Sequence, residues 1–276
     1  MRVTVLASGS GGNSILVEAD RTRILIDAGL SARELARRMD RSTATARLDD
    51  VQAVCVTHEH TDHASGVATL ASAGVAVYAT AGTARMGKLP DKTRTLVANE
   101  PVTIGALEIL PVAMPHDAAE PVSFLLSDGV TRAGILTDCG WASPDVAAAF
   151  AGCDLLVLET NHDVDMLRAG TYPPSLKRRI GGRRGHLSNE QAADLLKLMG
   201  KPVPRVLILA HFSQLNNRPR LARIAVERAL AAMNVPRPRL LVASQERGAA
   251  PVAFDRERID VLPGHDDRQL RLEFPD

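Results

Sequence analysis

Seven consecutive residues, Thr57-His58-Glu59-His60-Thr61-Asp62-His63, bring three imidazoles and two carboxylates into one short stretch. The apolar residues 51–57 before them read as a buried strand, so the motif begins where a strand runs out into a loop. Side chains two apart in an extended loop point the same way, so His58 and His60 converge on one ion. Asp62 and His63 fall at the start of the next helix, where neighbouring side chains diverge and can address a second ion. Imidazole with carboxylate is the donor set of Zn²⁺, and Mn²⁺ or Fe²⁺ enter as carboxylates add up. The expected cofactor is therefore two divalent metal ions per chain.

Two ions need more donors than one loop supplies. His116, Asp138 and His211 each follow an apolar run and precede a turn, which puts all three on one edge of the sheets. Asp27, at the end of the run 24–26, is placed to accept the other N–H of a ligand histidine. A basic cluster stands apart from these: Lys177, Arg178, Arg179, Arg183 and Arg184 lie around Gly181-Gly182, with His186 just beyond. Alone, such a run is a solvated loop. Beside a metal pair it becomes a phosphate-binding surface.

The chemistry this suggests is phosphodiester hydrolysis. Two metals about 3.5–4 Å apart can stabilise both attacking and leaving oxygens, and a bridging hydroxide is a nucleophile at neutral pH. Phosphate oxygens then need donors. The loop through Ser10 and Asn13 offers backbone N–H groups, and His186 precedes a helix whose N-terminus favours anions. Asp62 and His186 are the candidate catalytic side chains, supported by Asp27, with Ser10, Asn13 and the five cations as substrate contacts.

The elements that must position these residues are short. Strands are predicted at 3–7, 15–18, 24–27, 51–57, 75–79, 107–112, 122–126, 133–137, 155–159 and 206–209. Helices are predicted at 31–38, 62–73, 188–199 and 221–233. Ser31 with Glu34, and Ser188 with Gln191, have capping-box spacing. Residues 177–186 are read as a turn.

Composition sets the frame. The chain has 276 residues, 45% hydrophobic and 24% charged, enough to bury a core and too apolar for disorder. No apolar run approaches the ~20 residues of a membrane span, and the N-terminal stretch is too short for a signal peptide. Three cysteines without a CxxC pair indicate neither a disulfide framework nor a zinc ribbon. A cytoplasmic protein with no membrane partner is expected. A net charge of +1 excludes a dedicated nucleic-acid coat. With no Pro/Ser-rich break, residues 1–262 are expected to form one hydrolase domain and 263–276 a polar tail.

HxHxDH, a later His, an Asp and a final His in this order resemble the metallo-β-lactamase superfamily, over about residues 1–245. That resemblance implies an α/β fold, an αβ/βα sandwich of two mixed sheets with outer helices. It also implies that His58, His60 and His116 hold one metal, that Asp62, His63 and His211 hold the other, and that Asp138 bridges them. Finer stretches are similar to the YycJ/WalJ-type branch: Ser8-Gly9-Ser10-Gly11-Gly12-Asn13-Ser14, Leu158-Glu159-Thr160-Asn161-His162-Asp163, Tyr172-Pro173-Pro174-Ser175-Leu176-Lys177-Arg178-Arg179-Ile180, Gly185-His186-Leu187-Ser188-Asn189 and Leu209-Ala210-His211-Phe212-Ser213. This implies a 5′→3′ exonuclease with duplex DNA as substrate. A separation of 73 residues from Asp138 to His211 leaves no room for the inserted domain of RNA-processing relatives, and 22 residues from His116 to Asp138 leave none for a tRNA-binding arm. The alternatives are a phosphodiesterase of cyclic or sugar phosphates and a non-catalytic regulatory partner.

Overall fold

The computed structural model describes residues 1–42, 46–255 and 258–262. The expected polar tail lies outside them. The first sheet is built from β1 (Arg2–Ala7), β2 (Ser14–Ala19), β3 (Thr22–Ile26), β4 (Ala53–Cys55), β5 (Ala76–Thr80) and β6 (Arg94–Leu96). The chain then lays down the second: β7 (Val102–Ile104), β8 (Leu107–Ala113), β9 (Val122–Ser127), β10 (Arg132–Leu136), β11 (Leu155–Glu159), β12 (Val206–Ala210) and β13 (Arg239–Val242). It finally returns to the first sheet with β14 (Val252–Asp255) and β15 (Arg258–Val261). The strand orders are β15-β14-β1-β2-β3-β4-β5-β6 and β13-β12-β11-β10-β9-β8-β7. Both sheets are mixed, parallel from β3 to β6 and from β10 to β13, antiparallel elsewhere.

Period-two alternation explains why the strands stack in four layers. In β12, Val206, Ile208 and Ala210 join Val3, Val5, Ile24 and Ile26 between the sheets. Leu207 and Leu209 turn the other way, beneath α5 (Pro144–Phe150), α8 (Asn189–Met199) and α9 (Pro219–Ala232). Leu6, Leu16, Leu25 and Val54 cover the outer face of the first sheet under α1 (Ala32–Ser42) and α3 (Val67–Ser72). Strands buried on both faces read as continuous apolar runs, and these do. This is the αβ/βα sandwich.

Boundaries differ from the sequence reading in two instructive places. The helix expected over 62–73 is two pieces, α2 (Thr61–Ala64) and α3, broken at Ser65-Gly66. There the chain crosses the Ala28–Leu30 turn: Gly66 N donates to Ala28 O at 2.7 Å, and a Cβ on Gly66 would stand 2.1 Å from Leu30 O. The basic turn is partly helical, because Lys177, Arg178 and Arg179 close α7 (Pro174–Ile180), opened by Pro at its first position. Between these come α4 (Ala81–Met86) and α6 (Val164–Ala169), both too short for the periodicity to reveal. Ser188 caps α8 as expected: Gln191 N donates to Ser188 Oγ at 3.2 Å and Ser188 N to Gln191 Oε1 at 2.8 Å. Among the described residues no helix is long and apolar enough to cross a membrane.

Candidate metal centre

The donors gather at one edge of the sandwich, each at or just past the carboxyl end of a strand. Asp27 follows β3, His58 to His63 follow β4, and His116 lies beyond β8. Asp138 follows β10, Glu159 ends β11, and His211 follows β12 directly. Residues as distant in sequence as His58 and His211 thereby share one buried space. Ligand-capable atoms fall within 4.8 Å of one another in four overlapping groups: His58, His60 and His116; Asp62, His63 and His211; His58, His63 and Asp138; and Asp138, Glu159, His186 and His211. Every residue expected as a ligand is in one of them.

The ring nitrogens are aimed by their other partners. Asp27 Oδ2 accepts from His63 Nδ1 at 2.7 Å, which turns His63 Nε2 to Asp138 Oδ2 at 3.2 Å. Thr57 N and Oγ1 anchor Asp27 in turn, at 2.7 and 2.9 Å, and Thr57 Oγ1 accepts from His58 Nδ1 at 3.0 Å. His116 Nδ1 donates to Gly185 O at 2.9 Å. His58 and His116 thus keep Nε2 as a lone pair facing inward, whereas His63, despite its burial, is raised well above the usual histidine range by Asp138 and Asp27. His58 Nε2 and His116 Nε2 stand 3.0 and 3.4 Å from His60 Nδ1. Nitrogens around a tetrahedral Zn²⁺, at bond lengths of about 2.0–2.1 Å, sit about 3.3 Å apart.

Glu159 carries two more rings and received no role from the sequence, although its motif stood out. Fully buried, it accepts from His186 Nδ1 at 2.7 Å and His211 Nδ1 at 3.1 Å through Oε1. Oε2 accepts from Cys139 N at 2.8 Å and Leu187 N at 3.3 Å. An apolar strand ending in Glu was the signal available, and it does not say which imidazoles will be near.

Charge balance tests whether metal fits. Burial pushes the Glu159 carboxyl up, but His186 and His211 outweigh it and hold it at about 2. Burial likewise opposes charge on His211, yet Asp138, Asp62 and Glu159 raise it to about 10. Asp138 lies well below the usual carboxylate range, because its histidine neighbours overcome desolvation. Burial pulls His58 well down and His116 down, leaving both neutral, as ligands must be. Asp138 Oδ2 and His211 Nε2 are buried with no hydrogen-bond partner among the described residues. Protons on His63 and His211 balance the buried carboxylates, and binding of a divalent cation would displace them. The donor set fits divalent metal.

The expected substrate contacts divide. Asn13 is buried rather than open to solvent: its Nδ2 stands 3.3 Å from Asp62 Oδ2 and 3.1 Å from His63 Nε2. Four backbone donors of the glycine loop are already engaged. Gly9 N donates to Asn13 Oδ1 at 2.8 Å, Gly11 N to Gln245 Oε1 at 2.7 Å, Gly12 N to Gly9 O at 3.1 Å and Asn13 N to Asp62 O at 2.7 Å. The loop therefore braces the Asp62-His63 turn, and Ser10 stays exposed at its tip. Gln245, more than 230 residues away, supplies the clamp that no local pattern could show. Of the cations, Arg184 holds the loop of His116 by donating to His116 O at 3.1 Å. Arg179 pairs with Asp117, and Lys177 Nζ donates to Arg168 O at 2.7 Å. Arg178 is exposed, and Arg183 lies over the Trp141 ring. His186 reaches the centre with 20% of its side chain open to solvent.

Comparison with known proteins agrees with this fold. Residues 22–212 match the Beta-lactamase superfamily domain. The chain is 35% identical over 237 residues to Exodeoxyribonuclease YycJ of Bacillus anthracis, covering 83% of this chain and 89% of that one. It is 32% identical over 240 residues to Exodeoxyribonuclease WalJ of Streptococcus pneumoniae, covering 83% and 88%. Among solved structures, the metallo-beta-lactamase fold protein YhfI from Bacillus subtilis superposes with a TM-score of 0.69 at 17% identity, over 88% of this chain and 96% of that one. Zn(2+)-bound PqqB from Methylobacterium extorquens superposes at 0.67 with 22% identity, over 92% and 100%.

Proposed function

The chain belongs to the metallo-β-lactamase superfamily, in its YycJ/WalJ branch, and we propose that this metal-dependent hydrolase is an exonuclease that shortens duplex DNA in the 5′→3′ direction. The observation that carries the reading is the position of Asp138. One oxygen lies 3.2 Å from His63 Nε2, the other 3.8 Å from His116 Nε2, so a single carboxylate faces both imidazole groups. His58, His60 and His116 would hold one ion and Asp62, His63 and His211 the other, with Asp138 between them. Zn²⁺ is favoured by the imidazoles and Mn²⁺ by the carboxylates, with Fe²⁺ also compatible. Such ions supply Lewis acidity toward a phosphodiester and acidify water at neutral pH.

The chain's own groups do the rest. Glu159 keeps the proton of His186 on Nδ1 and turns the other edge of the ring toward the opening, where it can meet the reacting phosphate. Protonation of His186 is favoured, since Glu159 and Asp138 together outweigh its burial. The N-terminus of α8 lies two residues on and adds its dipole to the same anion. Arg178 and Arg183 are left to contact the strand backbone, while Arg179 and Arg184 fix the loop of His116. Names of the relatives, which specify deoxyribonucleases, support DNA over a small diester. Three buried free thiols, each pushed well up by burial, suit a reducing cytoplasm.

End-labelled duplex DNA and bis-p-nitrophenyl phosphate, each with added Mn²⁺ or Zn²⁺, decide the matter. Stepwise loss of nucleotides from the 5′ ends is expected. Cleavage of the small diester with the duplex spared would replace this reading by a small-molecule phosphodiesterase. Cleavage of neither, with metal bound, would leave a regulatory protein.

A further inference from the structure

One large aromatic stands beside the centre outside the core. Trp141, the chain's single tryptophan, is 41% exposed. It follows Asp138 by three residues, so chain reach keeps its Cα within about 11 Å of that carboxylate's Cα. The connecting loop is pinned on several sides. Cys139 N donates to Glu159 Oε2 at 2.8 Å, Gly140 N to Pro115 O at 2.8 Å, and Ser143 N to Trp141 O at 2.9 Å. Gly140 also presses on the turn before His186: a Cβ there would stand 2.5 Å from Gly185 N and 2.6 Å from Arg183 O. That close approach brings the Arg183 guanidinium over the indole, 4.6 Å from the ring centroid.

We propose that Trp141, backed by Arg183, is a stacking platform for a nucleobase near the strand end whose phosphates enter the metal centre. This rests on the nuclease reading above and adds a contact to base rather than to backbone. Every base has a π-face, so stacking is sequence-tolerant, as an enzyme that degrades from an end requires. A guanidinium over the ring adds a cation beside the phosphates and stiffens the indole. Three base steps of about 3.4 Å cover the reach from Asp138, so the platform takes one of the first few bases beyond the reacting phosphate. The remaining exposed part of the ring receives it.

A single tryptophan makes the site its own reporter. The full chain is titrated with a 5′-phosphorylated duplex whose linkages are phosphorothioate to block turnover, and with the same duplex made abasic at its three terminal nucleotides. Binding is read separately from the anisotropy of a dye at the far end. The base-bearing duplex should quench tryptophan emission saturably, and the abasic one should bind about 5- to 150-fold more weakly. Trp141→Ala should bring the base-bearing duplex down to the abasic level, while Trp141→Phe keeps most of the difference. Equal affinity for both duplexes, or binding without quenching of the wild-type emission, overturns the platform and leaves the nuclease reading standing. No anisotropy change with either duplex overturns both.

Discussion

Replacing Glu159 by Gln removes one charge and one acceptor where four donors converge. Oε2 receives Cys139 N and Leu187 N, both backbone groups that cannot turn away. The amide NH₂ of Gln cannot face them without setting donor against donor, so it must face His186 and His211. Each ring then has to present Nδ1 as acceptor and carry its proton on Nε2. For His211 that is the buried atom with no partner, 3.8 Å from Asp62 Oδ2, the one a metal would need. Loss of one such orienting partner typically lowers metal affinity or activity about 10–100-fold. Here one carboxylate serves two imidazoles, which gives about 10²–10⁴-fold if their effects multiply. Folding should suffer less, because the backbone donors keep their acceptor; about 1–3 kcal/mol covers one buried polar group left unpaired. Metal per chain after dialysis against a weak chelator, hydrolysis of bis-p-nitrophenyl phosphate and a urea melt separate the effects. A Glu159→Gln protein that folds, keeps wild-type metal and hydrolyses at the wild-type rate refutes the orienting role.

Three other outcomes are expected. Arg178→Glu should flatten the salt dependence of duplex binding by about 0.9 for each phosphate no longer neutralised, and an unchanged slope would return the exposed face of α7 to the role of a solvated surface. Glu34 is held at about 2 chiefly by the hydrogen bond from Arg37, with burial opposing and Arg38, itself buried, adding a second hydrogen bond. Its folded pKa lies below 4.5, so the stabilisation is full above that value and lost as pH falls toward 2. At face value the shift is ~3 kcal/mol, which partial exposure reduces to about 1 kcal/mol. Glu34→Gln should lower the urea midpoint at pH 7 and match the wild type near pH 2; an equal gap at both rejects the ion-pair explanation. Limited proteolysis should leave residues 1–262 as one resistant unit, whereas two halves each folded alone would contradict a single domain.

Chemistry at strand ends is the part of the site that the sequence makes legible. His58, His60, His63, His116, Asp138 and His211 each follow an apolar run that must be buried, so their shared edge follows from the alternation alone. Asp27 is legible for the same reason. What stays hidden depends on distant pairing. Glu159 looks like any strand terminus until His186 and His211 are brought to it across β11 and β12. The glycine loop looks like a phosphate cradle because its own donors are unpaired in sequence. Gln245 Oε1 and Asp62 O take two of them in the fold. The basic turn fails as a uniform surface for a similar reason, since carbonyls of residues 116 and 118 and the Asp117 carboxylate claim two of its five cations.

The backbone at three of these positions explains why those residue types occur there. Asp27, Asp138 and His211 all have left-handed conformations, with φ of 60°, 56° and 57°. Each such residue carries roughly 1–3 kcal/mol of strain, which the surroundings must offset. Alternation along β12 sends Leu207 and Leu209 beneath the helices, and a continued strand would send His211 there too. A left-handed turn at the strand end instead carries the imidazole over the edge, toward Glu159 and Asp62. Hydrogen bonds made at the turn hold it: His211 N donates to Ser8 Oγ at 2.8 Å, and Asp27 N donates to Cys55 O at 2.9 Å. Asp, Asn and His enter this region far more readily than β-branched side chains do. The requirement for a donor atom and the requirement for a sharp turn therefore select the same residues. Donors at strand ends are consequently a backbone necessity as much as a chemical one. Glycine at these positions would relieve the turn and abolish the donor, whereas valine would forfeit both.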